Sequence, residues 1–158
     1  MRRKRRPHCP AIGIRGQRAP FNALAATAAV FQSLLPGDHV VAQSAHYTAT
    51  MTLFQHTLAR YGVEATLVDQ RVTEAFARAM RPNTKVVYTE SPTNPTLELT
   101  DLRATAEIAH AGGAIAITDN TFASSYNQRP LDLGYDLVLH SATKYLNGHA
   151  DVTAGALM

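Results

Sequence analysis

The chain has 158 residues, 46% of them hydrophobic, which bounds it at one domain or part of one with enough apolar content for a real core. No apolar run approaches the roughly 20 residues of a membrane helix, the basic N-terminus lacks the continuous apolar segment of a secretory signal, and a single cysteine, Cys9, excludes an internal disulfide framework and fits a reducing cytoplasm. The formal charge of +3 is unevenly placed: seven of the fifteen basic residues fall within the first 18 positions, no acid precedes Asp38, and the remainder carries a net −4.

Residues 1–19 read as a basic, disordered leader, and residues 20–158 as the folded part. The run RRKRR could meet nucleic acid or an anionic surface. It has no aromatic residue for base stacking and no basic stripe continues it, so its composition favours a leader over a binding element.

Pro20 suits the first turn of a helix. FNALAATAAVFQSLL (residues 21–35) then predicts an alanine-rich helix, ended by Pro36 and Gly37 and nearly free of charge, hence buried on most sides. HVVAQ (residues 39–43) predicts a strand, residues 44–46 a loop, and residues 47–60 a second helix with Gly62 as its C′ residue. Tyr47 stands at that strand–helix junction. Its ring could stack on a flat cofactor or simply pack the start of the helix.

EATLVD (residues 64–69) predicts a strand, and Thr73 an N-cap for a short helix through Met80. After a Pro82-Asn83 turn, KVVYTE (residues 85–90) predicts the next strand. SPTNP follows, two prolines in five residues that fix a loop and hold Asn94 rigidly. Thr100 or Asp101 caps a helix to about Ala111, stopped by Gly112-Gly113. AIAITD (residues 114–119) is a near-continuous apolar strand, as when both sheet faces are covered.

The last unit, DLVLHSATKYLNGHAD (residues 136–151), begins with a short buried strand that runs into Ser141, Thr143 and Lys144. Helix and strand alternate along the body, which predicts an α/β fold: a largely parallel sheet with helices on both faces. Right-handed crossovers then gather Glu90, Asn94, Asp119, Ser141 and Lys144 along one edge, where ligands of open α/β sheets bind.

Lys144 is one of only two lysines beyond the leader, so it is no part of a solvated lysine face. Hydroxyls can hydrogen-bond a phosphate, and an amine can condense with an aldehyde. Pyridoxal phosphate needs both together. Equally, Ser141 and Thr143 could cap a turn beside an ordinary surface lysine. Asp119 has the same two readings: a cap for the turn at Asn120-Thr121-Phe122, or the partner of a protonated pyridine nitrogen.

The motifs TESPTNPTLELTDL, ITDNTFAS, QRPLDLGYDLVLHSATKYLNGHAD and VTAGAL closely resemble the Cys/Met-metabolism family of pyridoxal-phosphate enzymes. That group contains cystathionine γ-synthase, cystathionine β- and γ-lyases, methionine γ-lyase and homoserine sulfhydrylases. The resemblance reaches more weakly through YTATMTLF and LLPGDHVVA to about Phe21. It implies the large cofactor-binding domain of fold-type I enzymes, here truncated, with pyridoxal 5′-phosphate as cofactor. It also implies elimination or replacement at Cβ or Cγ of a small amino acid (cystathionine, methionine or an activated homoserine) and, for a complete protein, a homo-oligomer; the lack of a long apolar run argues against a membrane partner, and the leader's composition disfavours a nucleic-acid one. A truncated, non-catalytic remnant of the family is the alternative.

By the same resemblance, Lys144 is the Schiff-base lysine and proton shuttle, and Tyr47 the stacked, catalytically assisting tyrosine. Asp119 is the ring-nitrogen partner, Ser141 and Thr143 are phosphate ligands, and Asn94 lies near the phenolic oxygen. Glu90, Thr121 and His149 take supporting roles. There are departures. Phe21, Asn22 and Ala23 occupy the positions of a Ser-Gly-Met-like phosphate cradle, leaving Asn22 and Ala23 to act through backbone amides at a helix start. Ala150 replaces a small polar residue or glycine. No equivalent of the family's N-terminal arm or its carboxylate-binding arginine is expected.

Overall fold

The computed structural model describes residues 22–149 and 151–158. The leader, Cys9, Pro20, Phe21 and Ala150 lie outside the described residues. Within them the elements run α1 (Ala23–Phe31), β1 (His39–Gln43), α2 (Thr48–Thr52), α3 (Leu58–Arg60), β2 (Glu64–Val68), α4 (Thr73–Ala79), β3 (Thr84–Glu90), α5 (Leu102–Ala111), β4 (Ile115–Asp119), α6 (Ser124–Asn127), β5 (Leu137–Ser141) and β6 (Gly155–Leu157). A π-helical turn, Leu53–Thr57, joins α2 to α3, and a 3₁₀ turn, Pro130–Leu133, precedes β5.

The six strands are ordered β2-β1-β3-β4-β5-β6. The first five are parallel neighbours and β6 returns antiparallel to β5. Side chains alternate between faces as the two-residue period requires. Val40, Ala42, Val86, Tyr88, Ile117 and Leu139 join one core with α1, the π turn and α3. Val41, Val87, Ala116 and Val138 join the other with Phe76 of α4 and Leu102, Ala106 and Ala109 of α5. Both faces are therefore covered, and β1 is buried along its whole length.

Several predicted boundaries shift, each for a local reason. The helix expected over residues 21–35 spans Ala23–Phe31. Asn22 caps its start, accepting from Ala25 N at 2.9 Å. At its end Ser33 and Leu34 bond only three residues back, because Pro36 disfavours helical geometry just before it.

The single helix expected over residues 47–60 is interrupted by the π turn. Bonding from i to i+5 brings residues five apart towards one face, so Leu53 and Leu58 are both buried together with Phe54. Gly62 then closes the segment with φ +71°. Thr73 is not an N-cap: Val72 holds that position without a side-chain bond, and the chain is already turned by Arg71 N donating to Asp69 Oδ1. At the α5 start, Asp101 rather than Thr100 is the cap, accepting from Ala104 N at 3.0 Å. β4 begins at Ile115, which is still part-exposed, so only its inner residues are covered on both sides.

β6, α6 and the 3₁₀ turn were not expected. Strand β6 is three residues long, too short to show an alternation. Its register is set by long-range contacts: Thr143 Oγ1 donates to Ala154 O at 3.2 Å and accepts from Ala154 N at 2.9 Å. Gly155 then lies opposite Ser141.

Candidate active site

At the carboxyl end of the sheet a cavity of about 290 Å³ opens, near the lower size limit of small-molecule sites. It gathers residues from five places in the chain. Asn22, Ala23 and Leu24 come from the start of α1, and Tyr47 and Ala49 from the start of α2. Glu90 and Asn94 come from the end of β3 and its loop. Asp119, Thr121 and Phe122 follow β4, and Ser141, Thr143 and Lys144 follow β5. All eight residues singled out for catalysis or cofactor binding in the sequence line this one cavity. Strand order supplies the reason, since parallel strands deliver all their carboxyl ends to one edge.

Asp119 ends β4 beside Glu90, its register partner on β3. Its Oδ1 accepts from Thr121 N at 2.8 Å and from Thr121 Oγ1 at 2.5 Å. The capping alternative is thus realised, but by one oxygen only; Oδ2 has no hydrogen bond among the described residues. Burial pushes this carboxyl up to about 6; the Thr121 hydroxyl bond opposes the rise and the neighbouring Glu90 charge adds to it. Such a group is poised to accept a cation.

Thr121 does more than cap. Its hydroxyl also accepts from Ser141 N at 2.7 Å, tying the end of β4 to the end of β5. The Asp-x-Thr spacing is the signal that identifies it, because a carboxylate can reach the amide two residues on.

Ser141 Oγ has no hydrogen bond among the described residues and faces the same cavity. Thr143 differs: its hydroxyl proton goes to Ala154 O, so in this geometry the side chain holds β6 rather than offering a donor. Lys144 is exposed, and no acid or other acceptor engages its amine among the described residues. The turn that carries it is closed by Lys144 N to Ser141 O at 3.0 Å and Gly148 N to Lys144 O at 2.9 Å.

Asn22 spends its side-chain oxygen on Ala25 N, so with Ala23 it presents a helix N-terminus to the cavity. Gly155 fits beneath it: a Cβ there would sit 2.6 Å from Asn22 O and 3.0 Å from Ala23 Cα. Tyr47 is 53% exposed, leaving its ring face available. Asn94 is half-buried, with its backbone N–H on Glu90 and its amide unengaged among the described residues. Leu24, Ala49 and Phe122, which carry no reactive group, were not anticipated as cavity walls. His149 stands apart, in a second groove of about 410 Å³ that shares Thr143 and Lys144.

A buried carboxylate with one free oxygen, a free hydroxyl, a helix N-terminus and an amine around one cavity match, in that order, a pyridinium nitrogen, a phosphate oxygen, a phosphate charge and an aldehyde. The residues therefore fit pyridoxal phosphate.

Relatives agree with this chemistry. L-methionine gamma-lyase of Porphyromonas gingivalis is 51% identical over 132 residues, which is 83% of this chain and 33% of that protein. Cystathionine gamma-lyase of Bacillus subtilis is 47% identical over 137 residues, 87% of this chain and 36% of that protein. The crystal structure of metB from Corynebacterium glutamicum superposes with a TM-score of 0.84 at 43% identity, covering 87% of this chain and 36% of that one. The chain spans about a third of the length of the relatives it matches. Residues 19–158 match the family described as Cys/Met metabolism PLP-dependent enzyme, and the chain belongs to that family.

Proposed function

We propose that this chain is the cofactor-binding part of a pyridoxal-phosphate enzyme of sulfur amino-acid metabolism, acting by elimination or replacement on substrates such as methionine, cystathionine or an activated homoserine. One observation carries the proposal: Lys144, Asp119 and Ser141 share one cavity at the carboxyl end of a parallel sheet. When bound, the cofactor supplies an electron sink for a carbanion on the substrate's α-carbon.

The chain's own residues do the rest. Lys144 Nζ would hold the cofactor's aldehyde carbon and would serve as the base that moves the substrate's α-proton. A positioned lysine of this kind contributes typically 10²–10⁴-fold. Asp119 Oδ2 would keep the ring nitrogen protonated, with Oδ1 fixed by Thr121. Ser141 Oγ and the backbone amides of Asn22 and Ala23 at the α1 start would hold the phosphate, while Thr143 keeps β6 in register against β5. Tyr47 would cover the ring and keep water from one face, and Asn94 would orient the phenolic oxygen. Glu90 and His149 take no part in the proton transfers.

A soluble cytoplasmic protein acting as a homo-oligomer is part of the same proposal. It is supported by the lack, among the described residues, of any helix long and apolar enough to cross a membrane.

The test is direct. The purified chain is mixed with pyridoxal phosphate and reduced with borohydride, and the labelled peptide is mapped. Label on Lys144, lost in Lys144→Ala, is expected. Label elsewhere or none defeats the proposal. Turnover of methionine or cystathionine then tests the substrate class.

A further inference from the structure

The strand order reverses between β1 and β3: from β1 the chain leaves towards β2 on one side, and from β3 towards β4 on the other. The two loops that bring Tyr47 and Asn94 to the cavity therefore diverge from this crevice, and no continuous stretch of chain holds them together. Glu90 sits at the crevice, 5% exposed. Its Oε2 accepts from Tyr47 N at 3.0 Å and its Oε1 from Asn94 N at 2.9 Å. The β1 side is matched to it by Gln43, whose side chain donates to Glu90 O at 2.8 Å and accepts from Glu90 N at 2.9 Å.

No lysine or arginine pairs with this carboxylate among the described residues. The nearest cation-forming group is His46, whose Nδ1 lies 3.5 Å from Oε2, and burial drives that ring towards its neutral form. Two backbone amides thus carry the stabilisation of a buried charge that stands beside Asp119. A carboxylate in such a setting is costly unless each oxygen is engaged. Tyr88, Asp119 and His46 are the other titratable groups around it.

We infer that Glu90 is a positioning residue, a two-ended clamp whose separate oxygens hold the Tyr47 and Asn94 loops at one fixed separation so that a flat ring is received between residues from both. The inference rests on the cofactor site proposed above, yet its first readout needs no ligand. In the ligand-free protein, amide hydrogen exchange is compared between the parent and Glu90→Gln, which keeps size and one carbonyl acceptor but loses charge. Exchange at both Tyr47 and Asn94 accelerates by about tenfold or more, as expected for losing charge-assisted bonds, while Val87 in the core is unchanged. If Glu90→Gln does not fold, Glu90→Asp, too short to reach both amides, serves with the same expectation.

The second readout is binding of pyridoxal phosphate and of phosphate-free pyridoxal. Glu90→Gln weakens both by a common factor, because the clamp acts on ring contacts, whereas Ser141→Ala weakens only the phosphorylated ligand. Unchanged exchange at either amide, or a loss confined to the phosphorylated ligand, overturns the clamp. A parent that binds neither ligand defeats the cofactor proposal and leaves the exchange result to decide the clamp.

Discussion

Asp119 shows how one carboxyl can brace a strand end with one oxygen and leave the other free towards a cavity. Its acidity in the folded chain, about 6, lies above the ordinary 3.8 because burial disfavours the charge. Between those two values the folded chain binds more protons than the unfolded one, so this residue's contribution to stability declines as pH rises through the window and stays low above it. The full difference amounts to up to about 3 kcal/mol. Buried His39, His46 and His140 act oppositely: their protonation is disfavoured in the folded chain, so they lower stability as pH falls below 6.5. The comparison that isolates Asp119 is the parent against Asp119→Asn. The parent's stability relative to the variant falls between pH 4 and pH 7 in urea melts, and a flat difference refutes the assignment.

Thr121 gives a second prediction at this scale. Thr121→Val removes the hydroxyl that both donates to Asp119 Oδ1 and accepts from Ser141 N. Leaving that amide unpaired costs about 1–3 kcal/mol. Loss of the donated bond raises the Asp119 carboxyl further, which carbon NMR titration of the side chain reports as a midpoint above about 6.

Among the elements, α1 and β6 depend on each other. α1 is apolar nearly all round, and its first residues rest on Gly155 with no room for a side chain. Gly155→Ala brings a methyl within 2.8 Å of Asn22 C, so either α1 lifts or β6 slips from β5. Overpacking of that kind costs about 1–3 kcal/mol. Because the displaced atoms are the helix start proposed to hold the phosphate, the variant is also expected to bind pyridoxal phosphate less well relative to pyridoxal. Unfolding midpoints and ligand titrations check the two halves separately. On the opposite face of the sheet, Asp101→Ala removes the α5 cap and costs about 1 kcal/mol with no effect on ligand binding.

For the molecule as a whole, ligand binding and folding are linked. A ligand at a hundred times its Kd adds about 2.7 kcal/mol to a protein that binds it only when folded. At about 2–4 °C per kcal/mol for a chain of this size, pyridoxal phosphate raises the melting temperature by about 5–11 °C. Lys144→Ala loses much of that gain through the missing covalent link. An equal gain in parent and variant would show binding without the lysine.

Much of this was readable from residue order. Alternating apolar segments, the prolines at 92 and 95, and the Asp-x-Thr and Ser-x-Thr-Lys groupings at strand ends identify the α/β class and the residues that line the cavity. These signals are local: period, turn chemistry and residue type act over a few positions. The π turn, the three-residue β6, the seat that Gly155 makes for α1, the diversion of Thr143's hydroxyl to Ala154 and the grip of Glu90 on two loops join residues from 4 to over 130 positions apart. No local pattern encodes them, because each depends on which strands become neighbours. The sequence by itself determined which reactive groups the chain carries; only the packed sheet decided which of their atoms stay free, since a hydrogen bond made elsewhere removes a donor that the residue's identity promises.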